Sequence, residues 1–512
     1  MLARVTTFTI DGVRPRLVCV ETDIRRGLPA FTIVGLGDTA VRESRERIRA
    51  AILNSGFKFP EGRITANLAP ASLRKAGPGF DTALALALLA ASGQVPAAEL
   101  GSFAVFGELS LGGELRDSPG TLAVAEGARE SGCTRLIVPT SRAREAALVD
   151  GLEIVAVPTL RAVADVLSGA DPPPLPRAPM IAIDGTAGID LADVRGHEVP
   201  LLALEIAAAG GHNLLLEGAP GTGKTMLARR LPTILPPLTR SEAIEVTRIH
   251  SVAGLHADGL ICAPPFRAPH HTISAAGLAG GGSPPRPGEA TLASHGVLFL
   301  DELSEFQRSS LDALRQPVED GHVTIVRGQH ALQFPTRFML VAATNPCPCG
   351  FAGVDDRCTC ADSDLRRHRR RLSGPLLDRI DLLVDVRRPH NDELRGAAHT
   401  TSAQARERVL AARERQHGRL GGRLDGSAAS CNGEMSAGQV RSAVRLEAGA
   451  EDELGRAYTV GLLSPRGRHR VLRVARTIAD LAGHEWVRRD DLLLALSLRQ
   501  RAFGDGGMPV AA

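Results

Sequence analysis

Two short stretches hold the residue types that phosphate chemistry needs, at the spacing it needs. GAPGTGKT, made of Gly218, Ala219, Pro220, Gly221, Thr222, Gly223, Lys224 and Thr225, fits the pattern G-x-x-x-x-G-K-[ST]. Glycines let backbone N–H groups curl around phosphate oxygens, and the start of a helix adds positive potential. Lys224 is placed to reach the β- and γ-phosphates, and the Thr225 hydroxyl to ligate Mg²⁺. Downstream, GVLFLDELSEF (296–306) is an apolar run that ends in acids. Asp301 is the expected holder of the Mg²⁺ shell and Glu302 the residue that activates the attacking water. ATP and Mg²⁺ are therefore the expected ligands.

These groups work only if strands and helices bring them together. HNLLLEG is an apolar strand signal running directly into the glycines, and MLARRL after Thr225 is helical in pattern, which is the context the loop requires. FMLVAATNP (338–346) is a further apolar strand ending at Asn345, positioned to orient the lytic water; the plain alternative is an asparagine capping a turn before proline. SGPLLDRIDLLVDV (373–386) carries Arg379 just before another strand, where it can reach a neighbouring subunit's γ-phosphate; the alternative is a surface pair with Asp378. LLSPRGRHRVLRVARTIADLAG (462–483) starts a basic helix with Arg466 near its beginning as a phosphate contact. Arg468, Arg470, Arg473 and Arg476 read mostly as a solvated face.

TNPCPCGFAGVDDRCTC packs Cys347, Cys349, Cys358 and Cys360 into one loop, half of the chain's eight cysteines. Four thiolates suit tetrahedral Zn²⁺. Gly350, Gly353, Asp355 and Asp356 favour a turn that folds the second pair onto the first. The C-x-C spacing is tight for zinc and Pro348 stiffens the first pair, so free thiols, an iron–sulfur cluster or a disulfide stay open on sequence grounds. Zinc here is expected to close the loop and to act on stability or ring assembly rather than on ATP chemistry. Arginines also crowd LRRHRRRLSG (365–374). Arg366, Arg367, Arg369, Arg370 and Arg371 are candidate contacts to DNA phosphates, and a solvated helix face fits the same composition. VTIVRGQHALQFP (323–335) reads as a hairpin about Gly328, with Arg327 and His330 at its tip as further DNA candidates. The adjacent His270 and His271 in FRAPHHTIS suit a DNA-facing or interface loop better than a metal site.

The order of the phosphate loop, FRAPHHTIS, PRPGEATLASHGVLFLDE, ATNPCPCG, SGPLLDRIDL and PRGRHRVLRVARTIADLAG resembles the Mg-chelatase-like AAA+ ATPases of the YifB/ComM type. GLGDTAVRESRERIRAAILNSG and NLAPASLRKAGPGFDTALALALLAASGQ resemble that family's first domain, so the likeness covers nearly the whole chain. It implies an α/β fold: an AAA+ P-loop core with a C-terminal helical lid, preceded by an α+β Lon-protease-like (ribosomal S5 domain 2-like) domain. It also implies a homo-hexameric ring acting on single-stranded or branched DNA, as a helicase in branch migration during recombination or transformation. A chelatase-like or protein-remodelling motor is the alternative. The carried-over roles fall on Lys224, Thr225, Asp301, Glu302, Asn345, Arg379 and Arg466. Where Lon-like proteases carry serine this chain has Gly79, and FGELSLGGELRDSPG contains no lysine, so the first domain is expected to be non-proteolytic.

Composition sets the remaining bounds. At 512 residues the chain is too long for one core. The expected divisions are a first domain over 1–167, a Pro-rich linker over 168–189, an ATPase core over 190–390 and a helical C-terminal domain over 391–512. With 60 basic and 57 acidic residues the net charge of +3 does not itself point to nucleic acid. Aromatic residues are 3% of the chain, too few for a base-stacking platform. The longest apolar run, Ala83 to Ala91, is too short to span a bilayer, which takes about 20 residues. No export signal is evident, so a cytoplasmic, reducing setting without membrane contact is expected.

Overall fold

The computed structural model describes residues 2–175, 188–255, 259–282, 285–327, 330–353, 357–371, 374–396, 400–421 and 429–499. The side chains of Arg327, His330 and Arg369 lie outside the described residues, as do the hairpin tip at 328–329 and residues 176–187 of the expected linker. The chain forms two compact units, which do not follow chain order. One is built from the described residues of Met1–Ile183, Thr239–Cys262 and Val326–Gln333, the other from those of Asp184–Leu238, Ala263–Ile325 and Phe334–Ala512.

The first unit is organised on a mixed seven-stranded sheet. Leu2–Asp11 pairs antiparallel with Arg14–Arg25, which pairs antiparallel with Arg63–Ala69. Ala30–Val34 joins one side in parallel, and Phe103–Val105, Arg135–Pro139 and Glu153–Val157 extend the other, also in parallel. The helix Asp81–Ala91 is buried at every position, as a helix apolar all round must be. Its one acid, Asp81, is paired with Arg47 at 2.9 Å. Gly79, just before this helix, has no room for a side chain, because a Cβ there would lie 2.4 Å from the Phe106 ring. The helix Arg240–Val252 belongs to this unit although it follows the phosphate loop in sequence. Its Arg248 pairs with Glu126 at 2.9 Å, and Ser251 accepts a bond from the Gly120 N–H at 3.0 Å.

The second unit is built on five parallel strands in the order Phe266–Arg267, Val297–Leu300, Met339–Thr344, Leu214–Glu217, Leu382–Asp385. Val297–Leu300 and Met339–Thr344 are buried at every position, as expected of parallel strands covered on both faces. Leu214–Glu217 is hydrogen-bonded between strands from later in the chain, so the strand order reverses beside it. In open parallel sheets the crevice beyond the strand ends at such a point is where ligands bind.

C-terminal to the sheet come the helices Ser402–Leu420, Ala448–Thr459, Pro465–Ala482 and Arg489–Ser497, whose apolar faces join the sheet's core. The arginines of Pro465–Ala482 correct the expectation of a solvated face. Arg476 is 2% exposed and bonds Asp480 at 2.9 Å. Arg473 donates to the Gly433 carbonyl at 3.0 Å, and Arg470 lies 3.8 Å from Asp381. The run of arginines made this face look polar, but the guanidinium groups of Arg470, Arg473 and Arg476 each meet a carbonyl or carboxylate, which is what lets them be covered. Among the described residues no helix is long and apolar enough to cross a membrane.

Candidate nucleotide site and metal centre

Three strand ends converge. Glu217 runs into the phosphate loop, Leu300 into Asp301 and Thr344 into Asn345. The Gly218 N–H bonds the Thr344 carbonyl at 3.2 Å, tying the loop to the neighbouring strand. Gly221 and Gly223 take φ of 76° and 90°, values open to glycine at little cost. Gly218 is required for a different reason: a Cβ there would come 2.3 Å from the Val386 carbonyl oxygen. The helix Lys224–Arg230 then begins at the lysine.

Inside this junction the Lys224 ammonium donates to the carbonyls of Gly218 and Ala219 at 2.7 and 2.9 Å and to Asn345 Oδ1 at 3.1 Å. Lys224 is 8% exposed, and burial pushes its ammonium below the usual lysine value against the pull of Asp301 and Glu302. The Thr225 hydroxyl donates to Asp301 Oδ2 at 2.7 Å. A hydroxyl and a carboxylate this close offer the hard oxygen donors that Mg²⁺ takes alongside substrate phosphates, so the residues fit that ion. Lys224, Thr225, Asp301 and Asn345, distant in sequence, thus meet in one place.

Glu302 adopts φ 52°, ψ 50°, one of three non-glycine residues with positive φ among those described. A non-glycine residue held in the left-handed region points to a demand on that side chain. Its carboxylate lies 3.6 Å from His271 Nδ1, and the His270 and His271 rings stand 4.1 Å apart. This partner of Glu302 was missed from sequence. The adjacent histidines were visible, but nothing local shows that the loop after Phe266–Arg267 brings His271 to Glu302.

Arg379 and Arg466 are not brought to these groups within the chain. The Arg379 guanidinium pairs with Glu319, and Arg466 is exposed in the first turn of Pro465–Ala482. Asp381, two residues after Arg379, is buried. Burial alone would raise its carboxyl, but His212, Arg470 and the Asn213 N–H hold it below the usual range.

The four cysteines come together. Cys347, Cys349, Cys358 and Cys360 place their Sγ atoms within 4.8 Å of one another. Cys347 lies 3.3 Å from Cys349 and 3.8 Å from Cys358, and Cys349 lies 3.6 Å from Cys358. A disulfide needs about 2.05 Å. Tetrahedral Zn²⁺ at about 2.3 Å from each sulfur separates the sulfurs by about 3.8 Å, so the set fits zinc. Backbone N–H groups of Phe351 and Thr359 bring the Cys349 thiol down to about 6. Cys360 is pushed up to about 12 even though the Cys349 N–H pulls it down, because burial and the neighbouring cysteines resist further charge. A divalent cation would relieve that conflict.

The loop leads into the helix Asp362–Arg371, on which Arg366, Arg367, Arg370 and Arg371 are exposed while His368 is 4% exposed. His368 Nε2 bonds the Asn345 carbonyl at 2.9 Å.

The model for "Magnesium chelatase, subunit ChlI" matches residues 190–394, that for "Subunit ChlI of Mg-chelatase" 20–142, and that for "Magnesium chelatase, subunit ChlI C-terminal" 399–499. The chain is 42% identical to a protein called YifB from Escherichia coli over 505 residues, 97% of each chain. It is 42% identical to the competence protein ComM of Haemophilus influenzae over 496 residues, 95% of each. An uncharacterized protein of Mycobacterium tuberculosis is 43% identical over 511 residues, 98% of this chain and 99% of that one.

Proposed function

Since the chain belongs to the YifB/ComM family of Mg-chelatase-like proteins, an AAA+-type ATPase family, we propose that it hydrolyses ATP to drive movement on DNA. The single observation that carries the ATPase reading is the meeting of Lys224 with Asn345 and of Thr225 with Asp301 across the ends of three strands. In this reading Lys224 exchanges its carbonyl partners for phosphate oxygens. Thr225 and Asp301 would hold Mg²⁺, which would supply positive charge against the negative charge developing on the phosphates. Glu302 takes the proton of the attacking water, and Asn345 orients it. Arg379 acts in trans on the neighbouring protomer's γ-phosphate in a homo-hexameric ring. The C-terminal helices form the lid that presents Arg466, and the first unit is a Lon-like, non-proteolytic module in which Gly79 stands where a nucleophile would be. Zinc in the four-cysteine set has no open position and serves structure.

The DNA part rests on different support. Arg366, Arg367, Arg370 and Arg371 are exposed on one helix anchored to Asn345, and arginines so grouped neutralise phosphates. The name of the ComM relative ties that protein to competence, a process of DNA uptake. The test is ATP turnover with single-stranded, duplex and four-way-junction DNA at two salt concentrations, beside Lys224→Ala. Salt-sensitive stimulation that is lost in the variant is expected. Turnover indifferent to every DNA would overturn the DNA reading and favour the chelatase-like alternative, whose partner is a protein.

A further inference from the structure

The four-cysteine loop does more than close on itself, since it touches the nucleotide site at two points. Gly350, inside the first cysteine pair's turn, has φ 86°, and a Cβ built on it would lie 2.5 Å from Pro220 Cδ. The loop backbone is therefore packed directly on the third residue of the phosphate loop. That turn is held by Cys347, whose carbonyl accepts from the Gly350 N–H at 3.0 Å and whose Sγ accepts from the Ala352 N–H at 3.2 Å. The second contact runs through the helix Asp362–Arg371, which begins two residues after Cys360. Its buried His368 donates to the carbonyl of Asn345, whose own side chain accepts from Lys224. Cys347 in turn follows Asn345 by two residues.

We propose that the tetrathiolate metal site is a positioning device for ATP: metal bound by Cys347, Cys349, Cys358 and Cys360 holds Gly350 against Pro220 and His368 against Asn345, and metal occupancy sets nucleotide affinity. This inference rests on the ATPase reading and on zinc being the ion. The physical reason is constraint. Between Asn345 and the helix that carries His368 lie sixteen residues, 346–361, and the described ones form neither helix nor strand. With the sulfurs cross-linked through one ion, both contacts are held at once. Without it, nothing ties the four sulfurs together, and the loop regains the conformational freedom that cross-linking removes. Pro220 and Asn345 then lose their backing, and Lys224 loses a fixed partner. In this proposal the metal's structural role extends to ATP binding in the isolated chain, beside the effect on stability or ring assembly expected from the sequence.

The test uses the purified full chain. Metal content is measured by elemental analysis, and affinity for a fluorescent ATP analogue by anisotropy, before zinc is stripped with a chelator, after stripping, and after zinc is returned. One zinc per chain is expected, with affinity weakened about tenfold on stripping, the scale of one charge-assisted hydrogen bond, and restored by zinc. Stripped protein that binds the analogue as tightly as loaded protein overturns the proposal. Two variants keep it falsifiable should stripping unfold the chain. Gly350→Ala presses on Pro220 and His368→Gln alters the Asn345 contact, and both leave the thiols in place. Each is expected to retain zinc and to bind the analogue several-fold more weakly; full affinity in both overturns the proposal. Wild-type chain that binds the analogue but carries no zinc would defeat the metal reading alone, and wild-type chain that binds no analogue would defeat the ATPase reading.

Discussion

Lys224→Ala is the sharpest perturbation of the nucleotide site, and its size can be worked from the geometry. The ammonium is 8% exposed and makes hydrogen bonds of 2.7, 2.9 and 3.1 Å to two loop carbonyls and Asn345. It is therefore already desolvated and aimed, and moving it onto phosphate oxygens costs little reorganisation. A hydrogen bond to a charged group contributes about 1.5–3 kcal/mol. At about 1.4 kcal/mol per tenfold, losing one such bond weakens ATP binding about 10- to 150-fold. A preorganised donor aimed at charge that grows in the transition state is worth a further ~10²–10³ in turnover. The product is a fall in kcat/KM of about 10³ or more. Phosphate release under steady-state conditions gives kcat/KM, and anisotropy of a fluorescent ATP analogue gives the binding share. The chain's only other lysines are Lys58 and Lys75. Lys58 is exposed in the first unit, so Lys58→Ala is a control that keeps wild-type turnover. Turnover in Lys224→Ala within threefold of wild type would show that this ammonium does not meet the reacting phosphates, and the assignment of the loop would fall with it.

Three further outcomes are expected. Glu302→Gln keeps the shape of the side chain but not its basicity, so ATP affinity stays within about threefold while turnover falls about 10²–10⁴; a variant that turns over normally would remove Glu302 from the chemistry. Burial, opposed by Arg47, pushes the Asp81 carboxyl up to about 6. The folded first unit thus holds that proton longer than the unfolded chain, and this carboxyl's contribution to stability is full below about pH 4 and is lost, by about 3 kcal/mol, as pH rises through 6. Thermal melts from pH 4 to 7 are expected to show a decline in wild type that is flattened in Asp81→Asn, and equal slopes would refute the assignment. Asp480 is fully buried, accepting from Arg419 at 2.6 Å, Arg476 at 2.9 Å and Asn432 at 2.8 Å. Asp480→Asn leaves guanidinium charge there uncompensated, at a cost of about 3–5 kcal/mol to the second unit. Denaturant unfolding indistinguishable from wild type would contradict that role for the carboxylate.

The parts legible in the sequence are those whose chemistry is contiguous. The glycines, Lys224 and Thr225 stand in one run flanked by strand and helix patterns, because a phosphate cradle is a local backbone device. The apolar runs before Asp301 and Asn345 were readable for a related reason: a strand buried on both faces is almost wholly apolar, so its end shows where polar residues begin. Four cysteines in one loop were legible as a cluster, and the helix Asp81–Ala91 as a buried one.

Contacts between distant segments were not legible. Only the parallel order of strands, with Leu214–Glu217 inserted between later ones, puts Asn345 beside Lys224 and His271 beside Glu302. Only packing turned Arg470, Arg473 and Arg476 inward and paired Arg379 with Glu319. The grouping of Thr239–Cys262 with the first unit likewise has no local mark, since an amphipathic helix shows that it has a buried face without showing what covers it. Residue type and spacing by themselves determined which atoms can hold phosphate and metal, because those are properties of short segments. Which groups face one another, and that the cysteine loop rests on Pro220, was decided by tertiary structure alone, because such contacts depend on how separate strands and loops pack in space.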